Sequence, residues 1–153
     1  MRFRIPRTDV RCEDFTNAIE AACLSGTMDR VLALSVQYAN DRQQFGRAIG
    51  QFQAVQQDLA VMAEQANYAS MAARMAGNTT QPVPNALLAA TGKLTASEAA
   101  LRVATLAHAV HGAIGITQEH VLGLFTSRLH EWRMCGASEH TCALAIGAAL
   151  VRG

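Results

Sequence analysis

The fold is decided around residues 38–53, which read YANDRQQFGRAIGQFQ. On both sides of this stretch, apolar residues recur every three or four positions, which is the spacing of one buried helix face. Gly46 and Gly50 interrupt that spacing, and glycine marks turns because it has no side chain to restrict the backbone. We therefore predict one helix from about Asp14 to Arg42 and a second that begins at about Gln51.

Further helices are predicted on the C-terminal side. A loop containing two prolines separates the second helix from the third. Asn85, Thr117 and Ser138 precede apolar patterns and are expected to cap helices with their side-chain oxygens. Gly26 lies within the first helix, where it is expected to permit a close contact with a neighbouring helix. The predicted helices after the first span about residues 51–76, 85–110, 117–132 and 139–151, with the loop at 78–85.

Long helices joined by short connections predict an all-α fold, an antiparallel four-helix bundle with a short fifth helix. No alternation of apolar and polar residues is long enough to predict a sheet. The 153 residues suit a single domain. We assign residues 1–13 to an N-terminal lead-in and residues 14–153 to the bundle.

The composition narrows the classes of function. Half of the residues are hydrophobic, 16% are charged and the net charge is +1, so neither disorder nor nucleic-acid binding is expected. We find no uninterrupted apolar run long enough for a membrane span, and no secretory signal. The four cysteines form no CxxC pair, which favours reduced thiols in a cytoplasmic protein.

A second distinctive stretch covers residues 107–120, AHAVHGAIGITQEH. Together the two stretches resemble the C-terminal helical domain of the flavin-dependent acyl-CoA dehydrogenases. In that family one bundle helix ends in Arg-x-x-Phe-Gly, and a glycine-rich turn follows a later helix. The resemblance extends from about Asp14 to the end of the chain. It implies an oxidoreductase of fatty acid metabolism that removes two hydrogens from an acyl-CoA thioester.

The resemblance also implies a cofactor and partners. FAD would lie between this bundle and a middle β-domain that the sequence lacks, in a homo-oligomer or with a partner acyl-CoA dehydrogenase subunit. The residues implied to contact FAD are Arg42, Phe45, Gln53, Gly112 and Ser138, together with Gly115. Each of these residues also has a purely structural interpretation. Arg42 would then be a surface arginine, Phe45 a core aromatic and Gln53 a solvated side chain. The two glycines would be loop residues and Ser138 a helix cap.

The sequence departs from the family at the catalytic base. Gly136 stands where most members carry the catalytic glutamate, and Thr16 stands at the alternative glutamate position. Glu139 and Glu20 are the candidate carboxylates, although Glu139 equally suits the first turn of a helix. Ala109 replaces a glutamine that contacts the flavin in the family. We therefore assign no catalytic residue and expect the chain to be inactive alone.

Two other classes of function compete with a dehydrogenase subunit or fragment. The first is a non-catalytic helical oligomerisation module derived from the same family. The second is a metal-binding bundle, suggested by His108, His111, Glu119 and His120. Di-iron bundles need repeated Glu-x-x-His pairs, which are absent, so no metal is expected.

Overall fold

A computed structural model describes residues 11–77, 83–117 and 119–152. The described part folds into five α-helices, which confirms the predicted all-α class. Most of the predicted lead-in, and most of the predicted loop at 78–85, lie outside these residues, so the domain boundary after residue 13 stays a prediction. The helices are α1 (Cys12–Asp41), α2 (Gln53–Gly77), α3 (Ala86–His111), α4 (Leu122–Met134) and α5 (Glu139–Arg152).

The central element is α3, which contacts each of the four other helices. The main core is rich in alanine, so the helix backbones can approach one another closely, and larger side chains fill the remaining space. By length and composition alone, Ala86–Ile116 would be long and apolar enough to cross a membrane. The central helix of a bundle has the same properties because neighbouring helices surround it. The largest buried apolar side chains are Leu24, Met28, Met62, Leu122 and Leu129.

The helix starts follow the predictions at two of three positions. The Asn85 side chain accepts a hydrogen bond from the Leu88 N–H at 3.0 Å, so this cap is confirmed. Ser138 Oγ accepts from the Thr141 N–H at 3.1 Å at the start of α5. The prediction for Thr117 was wrong, because its hydroxyl donates backwards to the Ile114 carbonyl at 2.9 Å and closes a 3-10 turn over Gly112–Ile116.

The fourth helix consequently begins later than predicted, at Leu122. His120 takes the capping role there, since its Nδ1 accepts a hydrogen bond from the Leu122 N–H at 3.1 Å. An imidazole nitrogen can accept a backbone hydrogen bond in the same way as a carboxylate or hydroxyl oxygen.

Close helix packing depends on Gly92 rather than on Gly26. A Cβ at Gly26 would meet nothing within 4 Å, so the prediction of a close contact there was wrong. A Cβ at Gly92 would lie 2.8 Å from Ala76 Cβ and 3.1 Å from the Ala72 carbonyl oxygen. Gly92 therefore sets the separation of α2 and α3.

A β-hairpin that the sequence did not predict connects α1 to α2. Its strands, β1 (Gln43–Gln44) and β2 (Arg47–Ala48), are antiparallel and have only two residues each. The turn residues Phe45 and Gly46 have φ angles of 52° and 78°. Positive φ at both positions is the geometry of a tight type I′ hairpin turn, in which phenylalanine is strained. A 3-10 turn, Ile49–Gln51, leads into α2.

Candidate functional site

A cavity of about 630 Å³ lies between the hairpin, the C-terminal end of α1 and the C-terminal end of α3. Three of the residues predicted to contact the cofactor, Arg42, Phe45 and Gly112, line it together although they come from distant parts of the chain. The cavity is largely apolar, with a few polar groups, which is typical of a small-molecule site. Its other lining residues are Tyr38, Gln44, Ile49, Phe52, Val55, Ala109, Val110, His111, Ala113 and Ile114.

Arg42 is fixed by its backbone at the junction between α1 and the hairpin. Its N–H donates to the Tyr38 carbonyl at 2.9 Å, and its carbonyl accepts from the Ile49 N–H at 2.8 Å. Among the described residues its guanidinium forms no ion pair. The planar fork of its N–H groups therefore stays available for a phosphate or a carboxylate.

Phe45 stands out from the hairpin tip with 91% of its surface exposed. Its ring lies edge-on to Phe52, with centroids 6.2 Å apart. The alternative interpretation as a core residue was wrong, because the left-handed backbone turns this ring out of the bundle. An exposed ring beside a second aromatic can stack against the flat face of a heterocycle.

Gly112 ends α3 with φ +62°, a conformation that glycine adopts without strain. A Cβ at this position would meet nothing within 4 Å, so the space above Gly112 is open toward the cavity. Gly115 has a different role, because a Cβ there would lie 2.9 Å from His111 Cβ and 3.2 Å from a Leu122 methyl group. Gly115 allows the turn to pack on the bundle and does not line the cavity.

His111 forms a polar part of the cavity wall. Its Nδ1 donates to the Ala107 carbonyl at 2.8 Å, because a carbonyl only accepts, and its Nε2 is buried without a hydrogen-bond partner. The ring stacks on Tyr38 with centroids 4.5 Å apart, and it lies 4.8 Å from the His120 ring. Burial lowers the pKa of His111, and the neighbouring His120 and His108 lower it further, although the bond to Ala107 opposes them.

Besides Gly115, two predicted cofactor contacts do not line this cavity. Gln53 is exposed at the first position of α2, next to the lining residue Phe52. Ser138 lies between α4 and α5, where its hydroxyl group caps α5. Ala109 lines the cavity and presents only a methyl group at the position where the resemblance implies a glutamine.

Glu20, one candidate carboxylate, is held in a buried ion pair. Its Oε2 lies 2.7 Å from Lys93 Nζ, with the Lys93 side chain fully buried and the Glu20 side chain 12% exposed. The pair is close in distance but lacks hydrogen-bond angles at Oε2, so the contact is ionic rather than directional. Lys93 Nζ directs a hydrogen bond to the Trp132 carbonyl at 2.5 Å.

The same carboxylate fills the space beside Gly136. A Cβ at Gly136 would lie 2.8 Å and 2.9 Å from the two Glu20 oxygens, and its φ is +61°. Gly136, which the resemblance aligns with the catalytic glutamate, thus lies directly against the carboxylate of another helix. The Glu20 carboxylate is thus engaged by Lys93 inside the bundle.

Glu139, the other candidate, is also paired. Arg133 donates to both of its oxygens, at 2.5 Å from Nε and at 3.2 Å from Nη2. This bidentate contact raises the pKa of Arg133 and ties the end of α4 to the start of α5. Neither candidate therefore projects an unpaired carboxylate.

A sequence profile described as "Acyl-CoA dehydrogenase, C-terminal domain" matches residues 17–145. The chain belongs to the acyl-CoA dehydrogenase family. It is 37% identical over 134 residues to the acyl-CoA dehydrogenase IpdE2 of Mycobacterium tuberculosis, a match that covers 84% of this chain and 41% of that protein. It is 39% identical over 82 residues to 3-sulfinopropanoyl-CoA desulfinase of Paraburkholderia xenovorans, covering 54% of this chain and 21% of that protein.

Solved structures of other proteins contain the same bundle. Butyryl-CoA dehydrogenase from Megasphaera elsdenii superposes with a TM-score of 0.82 at 27% identity, covering 92% of this chain and 37% of that one. A chain of the ChsE4–ChsE5 complex from Mycobacterium tuberculosis gives 0.76 at 28% identity, covering 92% and 39%. The chain thus spans about two-fifths of the length of these relatives at most.

Part of the cavity wall was not predicted from the sequence. Three residues that line the cavity beside the predicted ones were not predicted, because their proximity depends on the hairpin. They are Tyr38, Gln44 and Phe52. Phe52 had a signal, since it lies within the distinctive stretch at residues 38–53. In residues 11–77, 83–117 and 119–152, no three His, Cys, Asp or Glu side chains are grouped so that they could hold a metal ion.

Proposed function

We propose that this chain forms the helical wall of an FAD site in an enzyme that dehydrogenates acyl-CoA thioesters between Cα and Cβ. The observation that carries the proposal is the meeting of Arg42, Phe45 and Gly112 on one cavity. These residues supply a guanidinium, an exposed aromatic ring and an uncrowded backbone turn, and a dinucleotide presents a diphosphate and a flat heterocycle.

The cavity fits the adenosine diphosphate part of FAD better than a purely apolar ligand. Arg42 would bind the diphosphate, and Phe45 would stack on the adenine. The buried Nε2 of His111 has no protein partner, which costs free energy unless a donor group reaches it or the ring turns. When bound, FAD would supply the hydride-accepting chemistry, and this chain would contribute binding and orientation.

We further propose that the chain is inactive alone and works with a chain or segment that supplies the middle β-domain. Abstraction of the weakly acidic α-proton needs a positioned carboxylate. Both candidates, Glu20 and Glu139, are engaged in ion pairs with Lys93 and Arg133. The catalytic base and the second wall of the cleft would therefore come from the partner, which could be another acyl-CoA dehydrogenase subunit.

The test is retention of flavin. The purified chain is mixed with FAD and passed over a gel-filtration column, alone and with a candidate partner carrying the middle domain. We expect flavin absorbance to elute with the wild-type protein and partner, and less of it with Arg42→Met. Arg30→Met is a matched control, because Arg30 stacks on Phe125 at 5.9 Å and does not line the cavity. Flavin retention that is unaffected by Arg42→Met would contradict the proposal.

An oligomerisation module without flavin is the second candidate. It is favoured by large apolar side chains that stay exposed on α4 and α5, since such surfaces often mark contacts between proteins. Sedimentation velocity with and without FAD separates the two functions: a stable oligomer that retains no flavin supports the module. The exposed side chains are Leu124, Met134, Leu144, Leu150 and Val151.

A cytoplasmic location is also proposed. All four cysteines are unpaired, and Cys12 and Cys135 are exposed. Exposed unpaired thiols suit a compartment that keeps cysteines reduced. Fractionation of the native cells with a specific antibody would test this location.

A further inference from the structure

We propose that Arg47 is a second diphosphate-binding side chain, which acts beside Arg42 at the rim of the same cavity. The inference rests on the proposed function and adds a residue to it. It predicts that the site prefers a ligand with two adjacent phosphates over one with a single phosphate or none.

The hairpin places Arg47 next to the lining residues Gln44 and Phe52, although Arg47 itself does not line the cavity. Arg47 pairs with Gln44 across the two strands, and directly opposed residues project to the same face of a β-ladder. Gln44 lines the cavity. The hydrogen bond from the Ile49 N–H to the Arg42 carbonyl, at 2.8 Å, ties the base of the hairpin together. The two arginines therefore belong to one small backbone unit.

The guanidinium of Arg47 is also held in place before any ligand binds. Its central carbon lies 4.1 Å from the centroid of Phe52, a lining residue. Stacking uses the face of the guanidinium and leaves the N–H groups at its edge able to donate to phosphate oxygens. An arginine fixed in this way loses less rotamer freedom on binding than an unrestrained one.

The charges at the rim are uncompensated. Among the residues that the structure describes, neither Arg42 nor Arg47 forms an ion pair, whereas Arg11, Arg128 and Arg133 each pair with a glutamate. Each guanidinium can engage one phosphate through two N–H groups. Two uncompensated guanidinium groups, one at the base of the hairpin and one on its second strand, thus match two adjacent phosphates better than one.

The experiment measures affinity against phosphate number. The full chain is titrated with adenosine, AMP, ADP and FAD by NMR, and Arg47→Met is compared with the wild type. Methionine keeps an apolar, polarizable side chain on Phe52 while it removes the charge. We expect Arg47→Met to weaken ADP binding about tenfold or more and adenosine binding less than about twofold, since a hydrogen bond to a charged group has that range.

Two further variants sharpen the result. Arg47→Lys should fall between the wild type and Arg47→Met, because lysine keeps the charge without the planar fork. Arg30→Met should leave every affinity unchanged, since Arg30 is stacked on an aromatic ring away from the cavity.

Failure of the inference is distinguishable from failure of the proposed function. If wild-type protein prefers ADP over adenosine and Arg47→Met keeps that preference, the inference about Arg47 is overturned and the FAD site stands. An equal loss for adenosine and ADP assigns Arg47 to packing and also overturns it. If wild-type protein binds neither ADP nor FAD, alone or with the partner that carries the middle domain, the proposed function and the inference fail together.

Discussion

Replacing Lys93 by methionine should destabilise the protein more than most single substitutions. The Lys93 side chain is fully buried, and its Nζ lies 2.7 Å from Glu20 Oε2 and 2.5 Å from the Trp132 carbonyl oxygen. Removing one partner of a buried ion pair typically costs about 3–5 kcal/mol. The carbonyl left without a donor adds about 1–3 kcal/mol. These costs are a large fraction of the stability of a typical domain.

A double-mutant cycle separates the ion pair from the packing. Glu20→Gln alone leaves a buried ammonium without a counter-charge and should also cost about 3–5 kcal/mol. The double variant Glu20→Gln/Lys93→Met removes both charges and should lose mainly the bond to Trp132, about 1–3 kcal/mol. The two single costs therefore should not add, and the coupling free energy should be at least about 3 kcal/mol.

Urea unfolding of the full chain, followed by far-ultraviolet circular dichroism, gives the free energies of unfolding. The matched control is the exposed pair Arg128–Glu131, whose side chains are 62% and 56% exposed at a separation of 2.6 Å. Arg128→Met should change the free energy of unfolding by less than about 1 kcal/mol, because solvent screens exposed pairs. A cost below about 1 kcal/mol for Lys93→Met, or additive single substitutions, would refute the assignment of a buried pair.

Three other predictions concern packing, pH and capping. Gly92→Ala should lower the free energy of unfolding by about 1–3 kcal/mol, because the new methyl group would meet Ala76 at 2.8 Å. Gly26→Ala should raise the free energy of unfolding by up to about 1 kcal/mol, because nothing lies near Gly26 and alanine favours the helix. The folded-state pKa of His111 is below 6.5, so the stability it contributes is complete above pH 6.5 and declines as the pH falls below that value. His111→Phe should flatten this decline in denaturation series between about pH 7.5 and 5, and an unchanged decline would contradict it. Asn85→Ala should lower the free energy of unfolding by about 1 kcal/mol, because the hydrogen bond from the Leu88 N–H is lost. The loss is measurable as a lower thermal midpoint, and an unchanged midpoint would contradict a stabilising cap.

Local features of the chain could be predicted because they depend on nearby residues. The helix α1 begins two residues before the predicted Asp14 and ends one before Arg42, since the spacing of apolar residues reports helix extent directly. The cap at Asn85 follows from its own side chain. The prediction for Thr117 failed because its hydroxyl group donates to the Ile114 carbonyl and ends a 3-10 turn, instead of accepting a hydrogen bond at a helix start.

Features that join distant residues could not be predicted in this way. Apolar spacing does not say which helices are neighbours, so the pairing of Glu20 with Lys93 has no local signature. The one available signal was a lysine within an alanine-rich helix, because a buried lysine needs a partner. Whether a glycine permits close helix packing likewise depends on the opposing helix. A neighbouring helix lies against Gly92, whereas nothing lies near Gly26.

Under the proposed function, thermal stability and FAD binding make opposing demands on the strained turn at Phe45. A left-handed phenylalanine costs about 1–2 kcal/mol, and with 91% of its surface exposed its ring recovers little of that from the bundle. Asparagine tolerates this backbone geometry, so Phe45→Asn should melt at a higher temperature while it holds flavin less well. Selection for heat resistance alone would therefore be expected to replace this phenylalanine, whereas selection for tight FAD binding would be expected to restore it.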